Sequence, residues 1–274
     1  LNLVVRYAKM TDGGEIDLEN FRSLLSPATK IVSLSHCSNV FGRFIALSEI
    51  KKIMDEQGSA ACLIADAAQS LPHLFPSVRD LGADFLVFSG HKVYGPSGIG
   101  VLWGREERLQ TLPPYQTGGD MIRTVTLTGA SWNALPWKFE AGTPNMEGAI
   151  GLAAALDYLV DQGTAAITDY TSHLSQTVRH SLEQIPSVRI LGDPHPHSGI
   201  ISFTVDGVHP HDLADLLGQK EICIRAGHHC AAPLHQQLGI PASNRISLGM
   251  YNTEADIDRF IAVLKSIITD FSHV

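Results

Sequence analysis

SGHKVYGPSGIG, Ser89–Gly100, sets one lysine, Lys92, between a polar pair and a glycine-rich turn, directly after the apolar run DFLVF at 84–88. Gly90 precedes it, and Gly95, Pro96, Gly98 and Gly100 break any regular element after it, so Lys92 belongs to a turn at a strand's carboxyl end. In open parallel α/β sheets ligands bind at that edge, where a lysine suits Schiff-base formation with a bound aldehyde. Taken alone, the stretch reads as a solvated loop carrying a lysine.

The residues upstream change that reading. ACLIA at 61–65 reads as a buried strand that ends in Asp66, with Gln69 one helical turn further on. A carboxylate therefore reaches the ligand edge of the next strand. Pyridoxal phosphate needs a lysine for its aldehyde and an anion facing its ring nitrogen, which keeps that nitrogen protonated and the ring an electron sink. Asp66 and Lys92 can supply both, and Ser89 and His91 beside the lysine can donate hydrogen bonds to a phosphate.

Outward from these motifs, helix and strand alternate. Asp17 caps a helix to Leu25 with Leu18, Phe21, Leu24 and Leu25 on one face, and Pro27 stops it. Ile31–Ser35 is a short buried strand, after which His36, Ser38 and Asn39 sit at another carboxyl edge; Asn39 is equally a turn residue satisfying its own backbone. Ser48 caps SEIKKIMDEQ and Gly58 supplies its left-handed stop. The alternation continues to Phe88, the pattern of βαβ units and a parallel sheet, and 99–103 is a further strand, antiparallel because its connection is short. Leu3–Tyr7 carries an apolar strand pattern. Residues 109–144 are irregular, with exposed-looking aromatics at Tyr115, Trp132 and Trp137, and such long aperiodic segments are functional or interfacial.

Residues 146–160 form an apolar helix whose Ala149, Ala153 and Ala154 suit close packing at a domain or subunit junction. We place the boundary there: 1–157 as the remainder of a cofactor-binding large domain and 158–274 as a small α+β domain. In the latter, Tyr170, Leu174, Val178 and Ile185 space a helix, 188–191, 199–205 and 221–225 read as strands, Leu213, Leu216 and Leu217 lie on a helix, and Thr253 caps the last one. Arg225 ends one strand and Arg245 begins the next, with AGHHCAAPL between them. Two arginines near a cleft can grip a carboxylate bidentately, although either one singly reads as a surface ion-pair residue. Cys230, on this polar loop beside two histidines, has its thiolate favoured by nearby positive charge. A metal site from His228, His229, Cys230 and His235 competes, but no Cys-x-x-Cys or regular histidine spacing supports it, so no metal is expected. Cys37 and Cys62 read as small core residues, and His195, His197, His209 and His211 as surface residues beside prolines.

The chain has 274 residues, 44% hydrophobic, with a formal net charge of -8. A pI near 5.9 and mean hydropathy near zero argue for a globular protein without a nucleic-acid or anionic-membrane partner. No apolar stretch of about 18 residues and no signal-like start is present, so a cytoplasmic location is expected. Four dispersed cysteines are too few for a disulfide framework.

Five separated motifs in order, SHCSNV, ADAAQS, FSGHKVYGPSGIGVLWG, FEAGTPN and RAGHHCAAPL, resemble the group II (Suf-type) cysteine desulfurases among class V aminotransferases. The resemblance implies a fold type I pyridoxal-phosphate-dependent transferase, α/β, with a mainly parallel sheet in the large domain, acting as a homodimer. It implies conversion of L-cysteine, or L-selenocysteine as a selenocysteine lyase, to L-alanine. Cys230 would carry the persulfide, and a Suf-type acceptor protein would receive the sulfur for iron–sulfur cluster assembly. Asn39 would lie beside the cofactor's phenolic oxygen, Thr143 would donate to its phosphate from the partner subunit, and Arg245 would hold the substrate carboxylate with Arg225 close by. Thr143 otherwise only shapes the turn before Pro144. The chain opens at Leu1 without a methionine, and no residue matches the family's ring-stacking histidine or phosphate loop, so an N-terminal segment is expected to be lacking and cofactor binding by this chain alone to be weak. The alternatives are another class V lyase or aminotransferase, or a non-catalytic fragment.

Overall fold

In the computed structural model, which describes residues 3–193 and 198–271, the lysine stretch follows the third strand of a four-stranded sheet. β1 (Ile31–Ser35), β2 (Cys62–Asp66), β3 (Phe85–Ser89) and β4 (Gly100–Gly104) lie in that order. The first three are parallel, with Ser35 opposite Asp66 and Asp66 opposite Val87, so their carboxyl ends share one edge. β4 returns antiparallel to β3, as its short connection requires.

α1 (Leu18–Leu24) starts at Asp17, whose Oδ1 accepts from the Asn20 amide at 2.9 Å. α2 (Leu47–Glu56) buries Leu47, Ile50, Ile53 and Met54 in one cluster with Leu63, Ala65 and Leu86 of the sheet, and Gly58 ends it at φ +59°. Ser48 is not its cap: the helix begins one residue earlier, at Leu47, and Ala46 precedes it without a side-chain cap bond. Burial of Leu47 in the first turn outweighs the hydroxyl. Two further expectations fail here. Leu3–Tyr7 is not a strand; Leu3, Val4, Val5 and Tyr7 are 64–84% exposed, and an apolar run with no paired neighbour has no ladder to join. Nor does a helix join β2 to β3, because Pro72 and Pro76 interrupt the amide ladder and the crossing runs through turns.

The segment read as aperiodic holds α3 (Glu106–Thr111) and a hairpin of β5 (Ile122–Val125) and β6 (Ala130–Trp132), strands too short to announce themselves by alternation. Tyr115 and Trp137 are exposed and Trp132 half-buried. α4 (Met146–Gln162) is capped by Asn145, whose Oδ1 accepts from the Gly148 amide at 2.9 Å. Its Leu152 and Leu159 pack with Val93, next to Lys92, while Met146, Ile150, Tyr158 and Val160 remain 51–72% exposed.

α5 (Thr164–Glu183) leads into a second, antiparallel sheet of β7 (Val188–Ile190), β8 (Ile200–Val205), β9 (Arg225–Gly227) and β10 (Ser243–Ser247), ordered β7-β8-β10-β9. With α6 (Pro210–Gly218) and α8 (Glu254–Phe271) it buries Leu174, Val178, Phe203, Leu213, Phe260 and Leu264 in one core. The short α7 (Ala232–Gln237) lies between β9 and β10. Thr253 opens α8 through a reciprocal box: its Oγ1 accepts from the Asp256 amide at 3.3 Å and its own amide donates to Asp256 Oδ2 at 2.9 Å. The strand expected at 221–225 begins only at Arg225, because Ile222 and Ile224 pack on the core from non-strand backbone. Arg225 thus opens its strand and Arg245 sits in the middle of the next, and the two are register partners. His209 and His211 are exposed, whereas His195 and His197 lie outside the described residues. Among the described residues, no helix is long and apolar enough to cross a membrane.

Candidate active site

The carboxyl edge of the first sheet faces β9 and β10 across a cavity of about 610 Å³. Asn39, Asp66, Gln69, His91 and Lys92 line it from one side and Arg225, Cys230 and Arg245 from the other. Two residues expected to bind the cofactor lie outside it: Ser89, half-buried at the end of β3, and Thr143, exposed on the turn before α4.

Lys92 closes a single turn of 3-10 helix over Gly90–Lys92. Gly90 is obligatory there, since a Cβ would stand 2.8 Å from Ile99 Cγ2 and 3.1 Å from the Ile99 carbonyl oxygen, to which the Gly90 amide donates. Val93 anchors the turn by burying against α4. Tyr94, at φ +63°, reaches the other half of the cavity, where its hydroxyl accepts from the Met250 amide at 3.1 Å and its ring meets Tyr251 edge-on at 6.2 Å. Burial pushes its phenol up. Asp66 is held by one oxygen, which accepts from the Ala68 amide at 2.9 Å.

Asn39 joins the halves. Its Nδ2 donates to the His229 carbonyl, and its own carbonyl accepts from Arg245 Nη1 at 3.1 Å. Arg245 keeps a buried Nε without a hydrogen-bond partner among the described residues. Burial and the facing Arg225 push its guanidinium down, and Cys230 pushes it back up. Paired arginines with an unused donor are the chemistry of an anion cradle, which an amino-acid carboxylate fits.

Arg225 Nη2 lies 3.6 Å from Cys230 Sγ. The positive charge beside the thiol is therefore this guanidinium. His229 does not supply it: burial, then Arg245, His235 and Arg225, push its imidazole down to about 4, so it is neutral near pH 7. The other cysteines differ. Cys37 is 1% exposed and burial pushes its thiol up to about 12, Cys62 is half-buried, and Cys223 is exposed away from the cavity. Among the described residues no group of three or more His, Cys, Asp or Glu side chains is arranged to hold a metal ion.

Sequence reasoning missed His73, Tyr94, Tyr251 and Ser247 on the cavity wall. His73 is 7% exposed, its Nδ1 is buried without a partner among the described residues, and burial pushes it down to about 4. It sits on the turn-built crossing from β2 to β3, where no periodicity marks which side chains face inward.

An α/β fold with a mixed, mainly parallel sheet of this kind is that of the fold type I pyridoxal-phosphate-dependent aminotransferase-like proteins. The chain belongs to the aminotransferase class-V family, whose profile matches residues 1–260. It is 43% identical over 259 residues to a probable cysteine desulfurase of Vibrio cholerae, covering 94% of this chain and 63% of that protein. The apo cysteine desulfurase of Thermococcus onnurineus NA1 superposes with a TM-score of 0.92 at 37% identity, over 97% of this chain and 66% of that one. A C-DES mutant with glycine covalently linked to its PLP cofactor superposes at 0.81 with 25% identity, over 93% and 65%. The chain thus spans just under two thirds of the length of the relatives it matches.

Proposed function

We propose that this chain carries the lysine, arginine and cysteine machinery of a group II (Suf-type), pyridoxal-phosphate-dependent cysteine desulfurase. The observation that carries the reading is the Arg225–Cys230 contact of 3.6 Å on the wall of a cavity that also holds Lys92 and Asp66. Lys92 and His91 on one wall and the guanidiniums of Arg225 and Arg245 on the other are the amine and donor groups that an aldehyde, a phosphate and a carboxylate would take up, so the donor set fits the cofactor and its substrate.

Lys92 would hold the cofactor aldehyde, Asp66 a proton at the ring nitrogen, Asn39 the phenolic oxygen, and Ser89 and His91 the phosphate, with Gln69 also against the cofactor. When bound there, pyridoxal phosphate supplies an electron sink for the bonds broken at the substrate's α and β carbons. Arg245, with Arg225 beside it, takes the α-carboxylate of L-cysteine and fixes its orientation. The Lys92 amine removes the Cα proton and later returns it. The Cys230 sulfur, beside Arg225, attacks the substrate sulfur; the carbon–sulfur bond breaks, its electron pair stays with carbon, which takes up a proton given up by the two thiols, and L-alanine leaves. Sulfur remains on Cys230 as a persulfide.

The wider proposals follow the same family. The exposed Thr143 donates to the phosphate of a partner subunit in a homodimer, for which the exposed apolar side chains of α4 offer a surface. The persulfide passes in the cytoplasm to a Suf-type acceptor for iron–sulfur cluster assembly, L-selenocysteine is a second substrate, and the domains divide at 157/158.

The test is made on the holoenzyme. After incubation with L-cysteine, mass spectrometry is expected to place one added sulfur on the Cys230 peptide, and Cys230→Ala to keep the cofactor's visible band while alanine production collapses. Sulfur on Cys37, Cys62 or Cys223 instead, or wild-type turnover by Cys230→Ala, would sink the reading.

A further inference from the structure

The loop that presents Cys230 is strained where it matters. His229 and Cys230 are consecutive non-glycine residues with left-handed backbone, at φ +53° and +63°. Such a conformation persists only when its surroundings over-determine it. Here the surroundings are three side chains that the proposed reaction does not use: His229 and His235, 2% and 1% exposed, converge on Ser243, which is wholly buried.

The hydrogen bonds leave one place for each proton. His235 Nδ1 lies 3.0 Å from the Ala231 carbonyl oxygen, which can only accept, so Nδ1 carries the hydrogen and Nε2 of this ring, if neutral, is a lone pair. That Nε2 lies 2.9 Å from Ser243 Oγ, so the serine hydroxyl donates to it. The serine has then spent its hydrogen. Its Oγ and its carbonyl oxygen, both 3.1 Å from His229 Nε2, accept from a hydrogen on that nitrogen. His229 Nδ1 is left with a buried lone pair that has no partner among the described residues, consistent with the neutral ring that burial, with Arg245, His235 and Arg225, enforces. The chain runs from His229 through Ser243 to His235 and back to the loop at Ala231, so its two ends bracket the exposed Cys230 in sequence. Asn39 Nδ2 donates to the His229 carbonyl, and Ser243 pairs in register with Gly227 at the loop's entry.

We propose that His229, Ser243 and His235 form a proton-ordered clasp that holds the Cys230 loop in its left-handed conformation and so keeps Sγ beside Arg225. They are positioning residues; only Cys230 meets the substrate. The proposal rests on the reading of Cys230 as nucleophile, but the clasp itself can be read without turnover.

The first measurement uses the wild-type holoenzyme with ¹⁵N-labelled histidine at pH 7. Nitrogen shifts should show His229 as the neutral Nε2–H tautomer and His235 as the neutral Nδ1–H tautomer. Any other assignment for either ring overturns the clasp. The second compares iodoacetamide alkylation of Cys230 in folded variants. Ser243→Ala and His235→Leu should slow it about tenfold, the loss expected when a thiol leaves its electropositive partner, while His235→Gln, which keeps an acceptor for the serine hydroxyl, should stay within about twofold of wild type. Wild-type alkylation in Ser243→Ala and His235→Leu, or equal slowing in His235→Gln, overturns it. If the persulfide failed to form while tautomers and alkylation behaved as stated, the desulfurase reading would fall and the clasp would stand.

Discussion

At Cys230 the decisive neighbour is a guanidinium 3.6 Å away on a strand that begins five residues earlier. Arginine rather than lysine suits that place, because its planar fork can face the thiol and an anion in the cradle together. Arg225→Lys should therefore lower the rate of persulfide formation on Cys230 about tenfold, and Arg225→Ala more, with the fold and the visible cofactor band retained. Single-turnover trapping of the labelled persulfide checks this, and an unchanged rate in Arg225→Ala would remove the guanidinium from the thiol's chemistry. That Lys92 and Cys230 face a common cavity was signalled here by type and spacing, since a lysine in a glycine turn or a cysteine in a polar loop is a local signal. Their charge states were not. Two histidines beside a cysteine look like a source of positive charge until burial and two arginines are seen to keep His229 neutral.

Among the elements, the turn after β1 seats the Asn39 bridge. Gly42 stands there at φ +68°, its carbonyl accepts from both the amide and Oγ of Ser198 at 3.1 Å, and a Cβ on it would lie 2.2 Å from the Ile200 carbonyl oxygen. No side chain fits without separating the turn from the start of β8. Gly42→Ala should cost about 2 kcal/mol or more, through strain and lost seam contacts, and weaken the cofactor band by loosening Asn39. Urea unfolding reads the first effect, and a change within about 0.5 kcal/mol would show that the seam yields. α2, β2, β3 and β4 were legible because periodicity and glycine breaks are local properties of the chain, although the cap expected at Ser48 was not. The hairpin of β5 and β6, the turn-built crossing at 67–84 and the late start of β9 were not, because each is settled by what packs or pairs against it.

Over the whole molecule, buried neutral histidines tie stability to pH. Burial pushes His36 down, and pushes His73 and, with its charged neighbours, His229 down to about 4. In the unfolded chain these rings titrate near 6.5, so between about pH 6.5 and 4 the unfolded state binds more protons and the folded state loses stability as pH falls. Their contribution is complete above about pH 6.5, and its loss is on the order of 3 kcal/mol per ring for His73 and His229. The urea midpoint should drop between pH 7.5 and 4.5, and His73→Leu should drop less; equal drops would mean that His73 is not a neutral buried ring. The amino-acid sequence by itself determined the alternation that builds a parallel sheet, the carboxyl-edge placement of Asp66 and Lys92, and the motifs of the class-V family, because these signals reside in neighbouring residues. Only the tertiary structure decided that Arg225 opposes Arg245, that Asn39 ties one sheet to the other, and that Ser243 closes the Cys230 loop. Strand register sets the two arginines opposite each other, burial brings Asn39 to residues some two hundred positions away, and no local pattern encodes either.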